Sequence, residues 1–291
     1  MNWNRVLDCF AAENHCQVGM CHSHPLDPSP LLAKGFVPFV REDIQKRTDP
    51  QTVLPGAQSV IVVGVPVKRS AVPSASEHGV ELSSIGTTED YHPRVKSVLR
   101  QLAHTLATHQ VIRYKALVDS PTLDERAFAV RAGLGYIGRH GLIISPLYGT
   151  RFNIGLLVTD IAPPEARPVT LDSCPPTCNQ CIQACPTHAL GAGEPINVAY
   201  CLSYLTQKAN LTPEEETLLQ ANPQLYGCDI CQNACPKNKP WEKTYIPPDA
   251  WAHKTDQVFA SEYGHTAMLW QGAERLRRNA ALQTFSKNKR I

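Results

Sequence analysis

Apolar positions in the first 165 residues alternate between the spacing of strands and the spacing of helices. Residues 59–67 (SVIVVGVPV) form a β-branched run after the turn signal LPGA, which predicts a buried strand. Residues 114–120 and 152–160 predict two more strands, and residues 124–133 predict a short helix. In residues 91–109, apolar side chains recur at the spacing of an amphipathic helix: Val95, Val98, Leu99, Leu102 and Leu106. The alternation predicts a helix-flanked sheet of the α/β or α+β class.

The composition changes after this segment. Residues 161–168 (IAPPEARP) read as a proline-rich linker, and clustered cysteines follow as far as about Asn238. We therefore predict a cofactor- and substrate-binding α/β domain at 1–168, a ferredoxin-like domain at 169–245 and a helical tail at 246–291.

The tail contains one predicted amphipathic helix, residues 267–285 (AMLWQGAERLRRNAALQTF). Its basic side chains include Arg275, Arg277 and Arg278. A solvated helical face is the favoured interpretation of these charges, and a nucleic-acid contact is the alternative.

The overall composition is that of a soluble globular protein. The 291 residues are 43% hydrophobic and 19% charged, and the net charge of +2 indicates neither a polyanionic partner nor its absence. Asp8 and Glu13 interrupt the N-terminus before any apolar run of secretory length. No stretch approaches the roughly 18 apolar residues of a membrane span. A cytoplasmic protein without membrane contact is expected, and we expect a monomer.

Cysteines are concentrated in one part of the chain. There are eleven in total, and eight of them fall between residues 174 and 235, whereas none occurs from 22 to 173. A reducing cytosol disfavours disulfides. Clustering of this kind therefore predicts a local metal or cluster site.

The spacing of these eight cysteines has the rhythm of a two-cluster ferredoxin. C-x3-C-x2-C-x3-C-P begins at Cys174, C-x2-C-x3-C-P begins at Cys228, and Cys201 stands alone between them. In two-cluster ferredoxins the last cysteine of each run ligates the cluster of the other run. The pattern thus predicts two [4Fe–4S] clusters, one held by Cys174, Cys178, Cys181 and Cys235 and the other by Cys185, Cys201, Cys228 and Cys231.

Two features leave alternatives open. Zinc also uses C-x2-C pairs, but usually two pairs separated by a long spacer, so the repeated runs favour clusters. The extra residue after Cys174 predicts either a loop that bulges through Pro175 and Pro176 or a poorer ligand at Cys174.

The remaining cysteines do not form a familiar site. Cys9, Cys16 and Cys21 lie near three histidines, but their spacing fits no common metal site. We interpret these cysteines as small core residues, with a second metal site as the alternative. Since no G-x-G-x-x-G follows the strand at 59–67 and no Walker A sequence occurs, the patterns alone indicate an iron–sulfur oxidoreductase with an unidentified acceptor.

Several stretches together resemble one enzyme family, from about residue 47 to residue 240. They are RTDPQTVLPGAQSVIVVG, EDYH, VDSPTLDERAFAVRAGLGYIGRHGLIISPLYGTRFNIGLLVTD, CLSYLTQK and YGCDICQNACPKN. The chain resembles epoxyqueuosine reductase, the cobalamin- and iron–sulfur-dependent enzyme that completes queuosine in tRNA. That family is related to the reductive dehalogenases, which commonly carry a twin-arginine export signal that this chain lacks.

The resemblance implies an acceptor for the electrons: base-off cobalamin in the N-terminal domain, reached through both clusters. It also implies a low-potential electron donor such as ferredoxin or flavodoxin. Removing an epoxide oxygen takes two electrons and two protons, and the family's proton donor lies in its V-D-S/T motif. Asp119 occupies that position here. Read without the resemblance, Asp119 could instead cap the helix that follows.

Further positions are expected to approach the corrin or the substrate. Arg139 stands where the family usually has lysine. The resemblance assigns cofactor contacts to Arg47, Tyr91, His92, Asp119, Arg139, His140, Ile143, Ile154, Leu157, Ser203 and Asp229.

The chain also departs from the family pattern. Members run longer, with a C-terminal helical-repeat domain that helps hold tRNA, and here only the opening helix of that domain is expected. The stretch SSIGTT before EDYH lacks the family's aromatic and arginine residues. The alternatives to a tRNA substrate are a short paralogue reducing another molecule, an electron-transfer or corrinoid-reactivating protein, and a ferredoxin-like carrier.

Overall fold

The computed structural model describes residues 1–30, 43–68, 79–164, 172–191 and 196–288, which belong to two compact units. The first comprises Met1–Val67 and Tyr91–Cys178, and the second comprises Lys68–Asp90 and Asn179–Ile291. The three-part division predicted from the sequence stays a prediction. In the described part of the chain, no helix combines the length and the apolar character that crossing a membrane requires.

The helices and strands of each unit are as follows. The first unit contains α1 (Trp3–Glu13), β1 (Gln17–His22), α2 (Ile44–Thr48), β2 (Ser59–Pro66), α4 (Tyr91–Ala107), β4 (Tyr114–Leu117), α5 (Glu125–Arg131), β5 (Tyr136–Ile137), β6 (Ile143–Ile144) and β7 (Phe152–Thr159). The second contains β3 (Val80–Leu82), α3 (Ser84–Thr87), α6 (Gln180–Ala184), α7 (Leu202–Leu205), α8 (Pro213–Ala221), β8 (Gln224–Tyr226), α9 (Ile230–Asn233), β9 (Thr244–Ile246), α10 (Pro248–Ala252), α11 (Asp256–Tyr263) and α12 (Ala273–Asn288).

The first unit is built on a four-stranded antiparallel sheet with the order β1-β2-β7-β4. Strand β2 is buried along almost its whole length because its β-branched side chains meet helices on both faces. Helices α1 and α4 pack on one face of the sheet, and α5 packs on the other. The predicted helix-flanked sheet is confirmed.

The N-terminal segment adds an edge strand that the sequence analysis did not predict. Strand β1 pairs with β2 from Gln17 to His22 and carries Cys21 into the core. Burial raises the pKa of Cys16 to about 11 and that of Cys21 to about 12, so both remain thiols at neutral pH. These two cysteines are core residues, as interpreted from the sequence, and Cys9 is exposed.

The second unit has its own small sheet, with the order β8-β3-β9. Helices α10, α11 and α12 cover it around a core that includes Trp251 and Phe259. The single helix predicted for residues 267–285 is wrong: a 3₁₀ turn ends at Gly272, whose φ of 87° lies in the left-handed region, and α12 begins after it.

Helix α12 uses part of its basic face for internal bonds. Arg278 donates to the carbonyl oxygens of Lys208 (2.7 Å) and Ala209 (2.8 Å), just beyond α7. Asn279 is buried, and its Nδ2 donates to the carbonyl oxygens of Thr206 and Leu225, each at 2.8 Å. The helix therefore ties together the segments that follow Cys201 and precede Cys228.

The β5–β6 hairpin encloses a buried histidine in its turn. His140 is 4% exposed, and its Nδ1 accepts a hydrogen bond from the Leu142 amide at 3.2 Å. The proton of the neutral ring is therefore on Nε2, which has no hydrogen-bond partner among the described residues. Burial lowers the pKa of His140 to about 4.

A close approach of α4 to β7 gives a first prediction. A Cβ atom on Gly155 would lie 2.6 Å from Val95 Cγ1 and 3.0 Å from Leu99 Cδ1. Gly155→Ala should therefore lower the free energy of unfolding by about 1–3 kcal/mol through overpacking, measured by denaturant titration. Combining it with Val95→Ala should cost less than the sum of the two single changes, and strict additivity would contradict the packing explanation.

The buried His140 gives a second prediction. Its folded pKa is about 4 against an ordinary 6.5, so the unfolded chain binds more protons between these values. Stability should fall as the pH drops from 6.5 towards 4, with this residue contributing on the order of 3 kcal/mol. His140→Gln should flatten that part of the stability–pH curve, whereas the same change at exposed His253 should not. Identical slopes for wild type and His140→Gln would contradict this assignment.

Candidate active site and cluster-binding region

Three polar side chains meet where β4 leaves the sheet. The strand ends at Leu117, Val118 is buried in the core, and Asp119 takes a left-handed backbone conformation with φ of 50°. Tyr91 Oη donates to Asp119 Oδ2 at 2.8 Å, and His92 Nε2 lies 3.8 Å from the same oxygen. The structure thus brings together three of the residues that the resemblance had selected.

The trio faces solvent at the start of α4. The side chain of Asp119 is 68% exposed and that of His92 is 31% exposed. The rings of Tyr91 and His92 stack, with centroids 4.2 Å apart and planes inclined by 24°. A carboxyl group held by a phenol and an imidazole can give up a proton and be reprotonated from water.

The alternative role of Asp119 as a helix cap is wrong. Helix α5 is capped by Asp124, whose Oδ1 accepts from the Ala127 amide at 3.2 Å. The next residue, Glu125, turns back to the loop, where its Oε1 accepts from the Ser120 amide at 3.0 Å. Sequence reasoning missed Glu125, because an acidic residue in the first turn of a helix is ordinary.

Arg47 lies against the loop that follows Asp119. It is buried, its Nε donates to the Pro121 carbonyl at 3.1 Å, and its own carbonyl accepts from the Asp124 amide at 3.0 Å. These bonds connect α2 to the Asp119 loop. Contact of Arg47 with a cofactor stays a prediction.

The apolar positions predicted for cofactor contact lie in or beside the sheet. Leu157 is fully buried in the same core as Val118, Ile143 is buried in the hairpin, and Ile154 is half-buried on β7. Their side chains support the first unit from within. Their contact with a cofactor also stays a prediction.

Arg139 supports the loop that contains the extra residue of the first cysteine run. The loop closes as a turn, in which the Cys178 amide donates to the Pro175 carbonyl at 2.9 Å. Arg139 Nη2 donates to the Pro176 carbonyl at 2.8 Å. The additional residue therefore lies in a turn, which Arg139 stabilises by a hydrogen bond.

The two cysteine runs produce two equivalent short helices in the second unit. Helix α6 carries Cys181 and α9 carries Cys231, and these helices pack against each other. Cys185 and Cys235 follow the helices, and prolines come directly after them. Proline cannot continue a helix, so the chain turns away after each run.

Five cysteines of the second unit are connected by electrostatic interactions between their thiols. The thiol of Cys185 raises the pKa of Cys201, and the thiols of Cys181, Cys185 and Cys201 raise the pKa of Cys231. Cys228 is in turn affected by Cys231 and Cys201. Burial is the main cause that raises the pKa of Cys201, of Cys228 and of Cys231, the last to about 12.

Elevated thiol pKa values have a chemical consequence for this group. Without a counter-charge, the buried thiols stay protonated, whereas a bound cation would hold them as thiolates. Among the residues that the structure describes, no three His, Cys, Asp or Glu side chains are placed to hold a single metal ion.

The two remaining predicted residues have partners within the second unit. Asp229 is buried, its Oδ2 accepts from the Ser84 amide at 2.7 Å, and its Oδ1 accepts from Gln232 Nε2 at 2.8 Å. The carbonyl of Ser203 accepts from Thr206 Oγ1 at 3.1 Å. Asp229 thereby joins the loop between β3 and α3 to the second cysteine run.

Comparisons with known proteins identify families for the cysteine-rich region and for the segment that ends at the Asp119 loop. Residues 174–238 match the family described as a 4Fe-4S double cluster binding domain, and residues 47–120 match the family described as epoxyqueuosine reductase QueG, DUF1730. An epoxyqueuosine reductase of Staphylococcus aureus is 34% identical over 268 residues, which are 86% of this chain and 70% of that protein.

Two solved structures of epoxyqueuosine reductases have the same fold. One contains a tRNA-Tyr epoxyqueuosine-modified stem loop, with a TM-score of 0.84, 27% identity, and coverage of 97% of this chain and 80% of that one. The other, from Bacillus subtilis, has a catalytic aspartate loop swung out of the active site, with a TM-score of 0.83 and the same identity and coverage. The chain belongs to the epoxyqueuosine reductase family, and it is an oxidoreductase with a double [4Fe–4S] binding domain.

Proposed function

We propose that this chain is a cobalamin-dependent reductase that converts epoxyqueuosine in tRNA to queuosine, with Asp119 as the proton donor. The observation that carries the proposal is the trio of exposed Asp119 with half-buried Tyr91 and His92. A protein that only transfers electrons does not need an acid–base group of this kind. The trio therefore favours the reductase over the carrier and corrinoid-reactivating alternatives.

The relatives support the substrate and the role of the aspartate. One family member was solved with an epoxyqueuosine-modified tRNA stem loop, and another has a catalytic aspartate loop swung out of the active site. In this chain Asp119 lies on a loop after β4, in the matched segment at residues 47–120. A tRNA substrate would be met in the cytoplasm.

The donor set of the second unit fits a [4Fe–4S] cluster. The thiols of Cys185, Cys201 and Cys228 each interact with another thiol of this group, and Cys231 interacts also with Cys181, so the unit supplies at least the four sulfur atoms that such a cluster requires. We propose that they hold one cluster and that Cys174, Cys178, Cys181 and Cys235 hold the other. A low-potential donor such as ferredoxin or flavodoxin would supply the electrons.

The first unit contains a donor that fits cobalamin. The Nε2 proton of buried His140 has no acceptor among the described residues, and the amide-rich periphery of a corrin offers such acceptors. Arg139, the residue before His140, adds a positive charge. Bound cobalamin would supply the electrons for reduction of the epoxide.

The chain's own residues transfer the protons. Opening the epoxide and forming the alkene consumes two electrons and two protons and releases the oxygen as water. Asp119 Oδ2 already accepts from Tyr91, which leaves Oδ1 to carry the proton that is given to the epoxide oxygen. After transfer, the phenol of Tyr91 donates to Oδ2 of the carboxylate, and His92 Nε2 lies 3.8 Å from the same oxygen. The exposed side chain then recovers a proton from solvent.

Asp119→Asn tests the proton donor directly. The amide keeps the shape and accepts from Tyr91 but cannot donate the acidic proton, so kcat should fall about 10²- to 10⁴-fold. Turnover is measured anaerobically with cobalamin, a chemical reductant and an epoxyqueuosine-modified tRNA stem loop, while iron and cobalt contents should not change. Asp8→Asn, at an exposed position on α1, is the matched control. Turnover within about twofold of wild type would exclude Asp119 as the proton donor.

The same assay also tests the substrate. Absence of queuosine with the loaded wild-type protein would exclude epoxyqueuosine in tRNA as the substrate.

Cys201→Ala tests the predicted ligand set. Loss of one of four cysteine ligands should release that cluster, so that the iron content after anaerobic reconstitution falls from about eight to about four per chain. Cys9→Ala removes an exposed cysteine outside the set and should retain all the iron. Full iron content in Cys201→Ala would show that this cysteine is not a ligand.

A further inference from the structure

The carboxyl group of Glu125 binds the backbone next to Asp119. Glu125 Oε1 accepts from the Ser120 amide at 3.0 Å, and the neighbouring Asp119 amide also interacts favourably with the Glu125 carboxylate. Asp119 has a positive φ of 50°. Consecutive amides around a left-handed residue form a concave nest that binds an anion, and here Glu125 occupies it.

Other hydrogen bonds fix the rest of the loop. Arg47 donates to the Pro121 carbonyl, and the hydroxyl groups of Ser120 and Thr122 lie 2.7 Å apart. The Asp119 side chain, in contrast, projects outwards to Tyr91. Among the described contacts, Glu125 is the side chain that accepts a hydrogen bond from the Ser120 amide.

The surroundings make the charge of Glu125 variable near neutral pH. Burial raises the pKa of Glu125 to about 8, and the nearby carboxylates of Asp119 and Asp124 raise it as well, whereas the amides of Ser120 and Asp119 lower it. Tyr91 and His92 contact the Asp119 carboxyl group, and Arg47 donates to the Pro121 carbonyl of the same loop. The ionised carboxylate accepts the two amide hydrogens more strongly than the neutral acid does.

We propose that Glu125 is a positioning residue, whose carboxyl group fixes the left-handed backbone of Asp119 and thereby aims the Asp119 carboxyl group at Tyr91 and the substrate. The catalytic part of this inference rests on the proposed role of Asp119. Its structural part does not, because the hydrogen bonds exist in the chain alone.

The first measurement is hydrogen exchange of the amides of residues 119 and 120 in the full chain, expressed as protection relative to the intrinsic rate. Glu125→Ala removes the acceptor, so protection should fall at least about tenfold. Glu125→Gln retains an acceptor oxygen, so most of the protection should remain. In wild type, protection should increase as the pH rises through about 8, because the carboxylate forms. In Glu125→Gln this increase should disappear.

The second measurement is turnover with the epoxyqueuosine-modified stem loop. Glu125→Ala should lower kcat about 10²-fold through misplacement of Asp119, with KM unchanged. Glu125→Gln should remain within about threefold of wild type. Glu13→Gln, an exposed residue at the end of α1, is the matched control for the loss of one charge.

The outcomes separate this inference from the proposed function. Unchanged protection and kcat in Glu125→Ala would overturn the positioning role. If Glu125→Ala does not fold, a Glu125→Gln profile that keeps the wild-type increase near pH 8 would overturn it. Asp119→Asn is measured in parallel: full turnover there would refute Asp119 as donor, while lost protection in Glu125→Ala would still establish the hydrogen bonds.

Discussion

The antiparallel pairing of β7 with both β2 and β4 is the constraint on which the first unit depends. Leu117 pairs with Leu156 at the end of β4, so the position of Asp119, two residues later, is fixed by the register of the sheet. Helix α4 packs on the same strands and brings Tyr91 and His92 to that end. One set of backbone hydrogen bonds thus determines the distance between the carboxyl group and both of its partners.

The second unit must bring polarisable sulfur atoms together inside a folded chain. Two short helices, each stopped by a proline, present cysteines at their ends and pack side by side. Buried thiols are inexpensive to keep as neutral groups but costly as thiolates, as the raised pKa values show. Residues 174–238 match a 4Fe-4S double cluster binding domain, and iron is a cation that can neutralise such thiolates.

The local periodicity of apolar residues was sufficient to predict the elements whose buried positions repeat along the chain, such as β2 and α4. It was insufficient for β1, because QVGMCH becomes a strand through its pairing with β2 and not through its own pattern. It also failed at Gly272, where a positive φ interrupts an otherwise helical sequence. At the candidate site, the motif selected Asp119, Tyr91 and His92. Glu125 could not be found in the same way, because its role depends on the direction of two backbone amides.

Helix α12 has a consequence for the order in which the chain acquires structure. Its Arg278 and Asn279 supply hydrogen bonds to the backbone after Cys201 and before Cys228, although the helix follows both in the sequence. During translation the N-terminal parts of a chain emerge and fold first. The four-stranded sheet of the first unit is therefore complete while two cysteine segments still lack part of their support. Cofactor loading of the second unit would then be a late, post-translational event, sensitive to any truncation that removes residues 278 and 279.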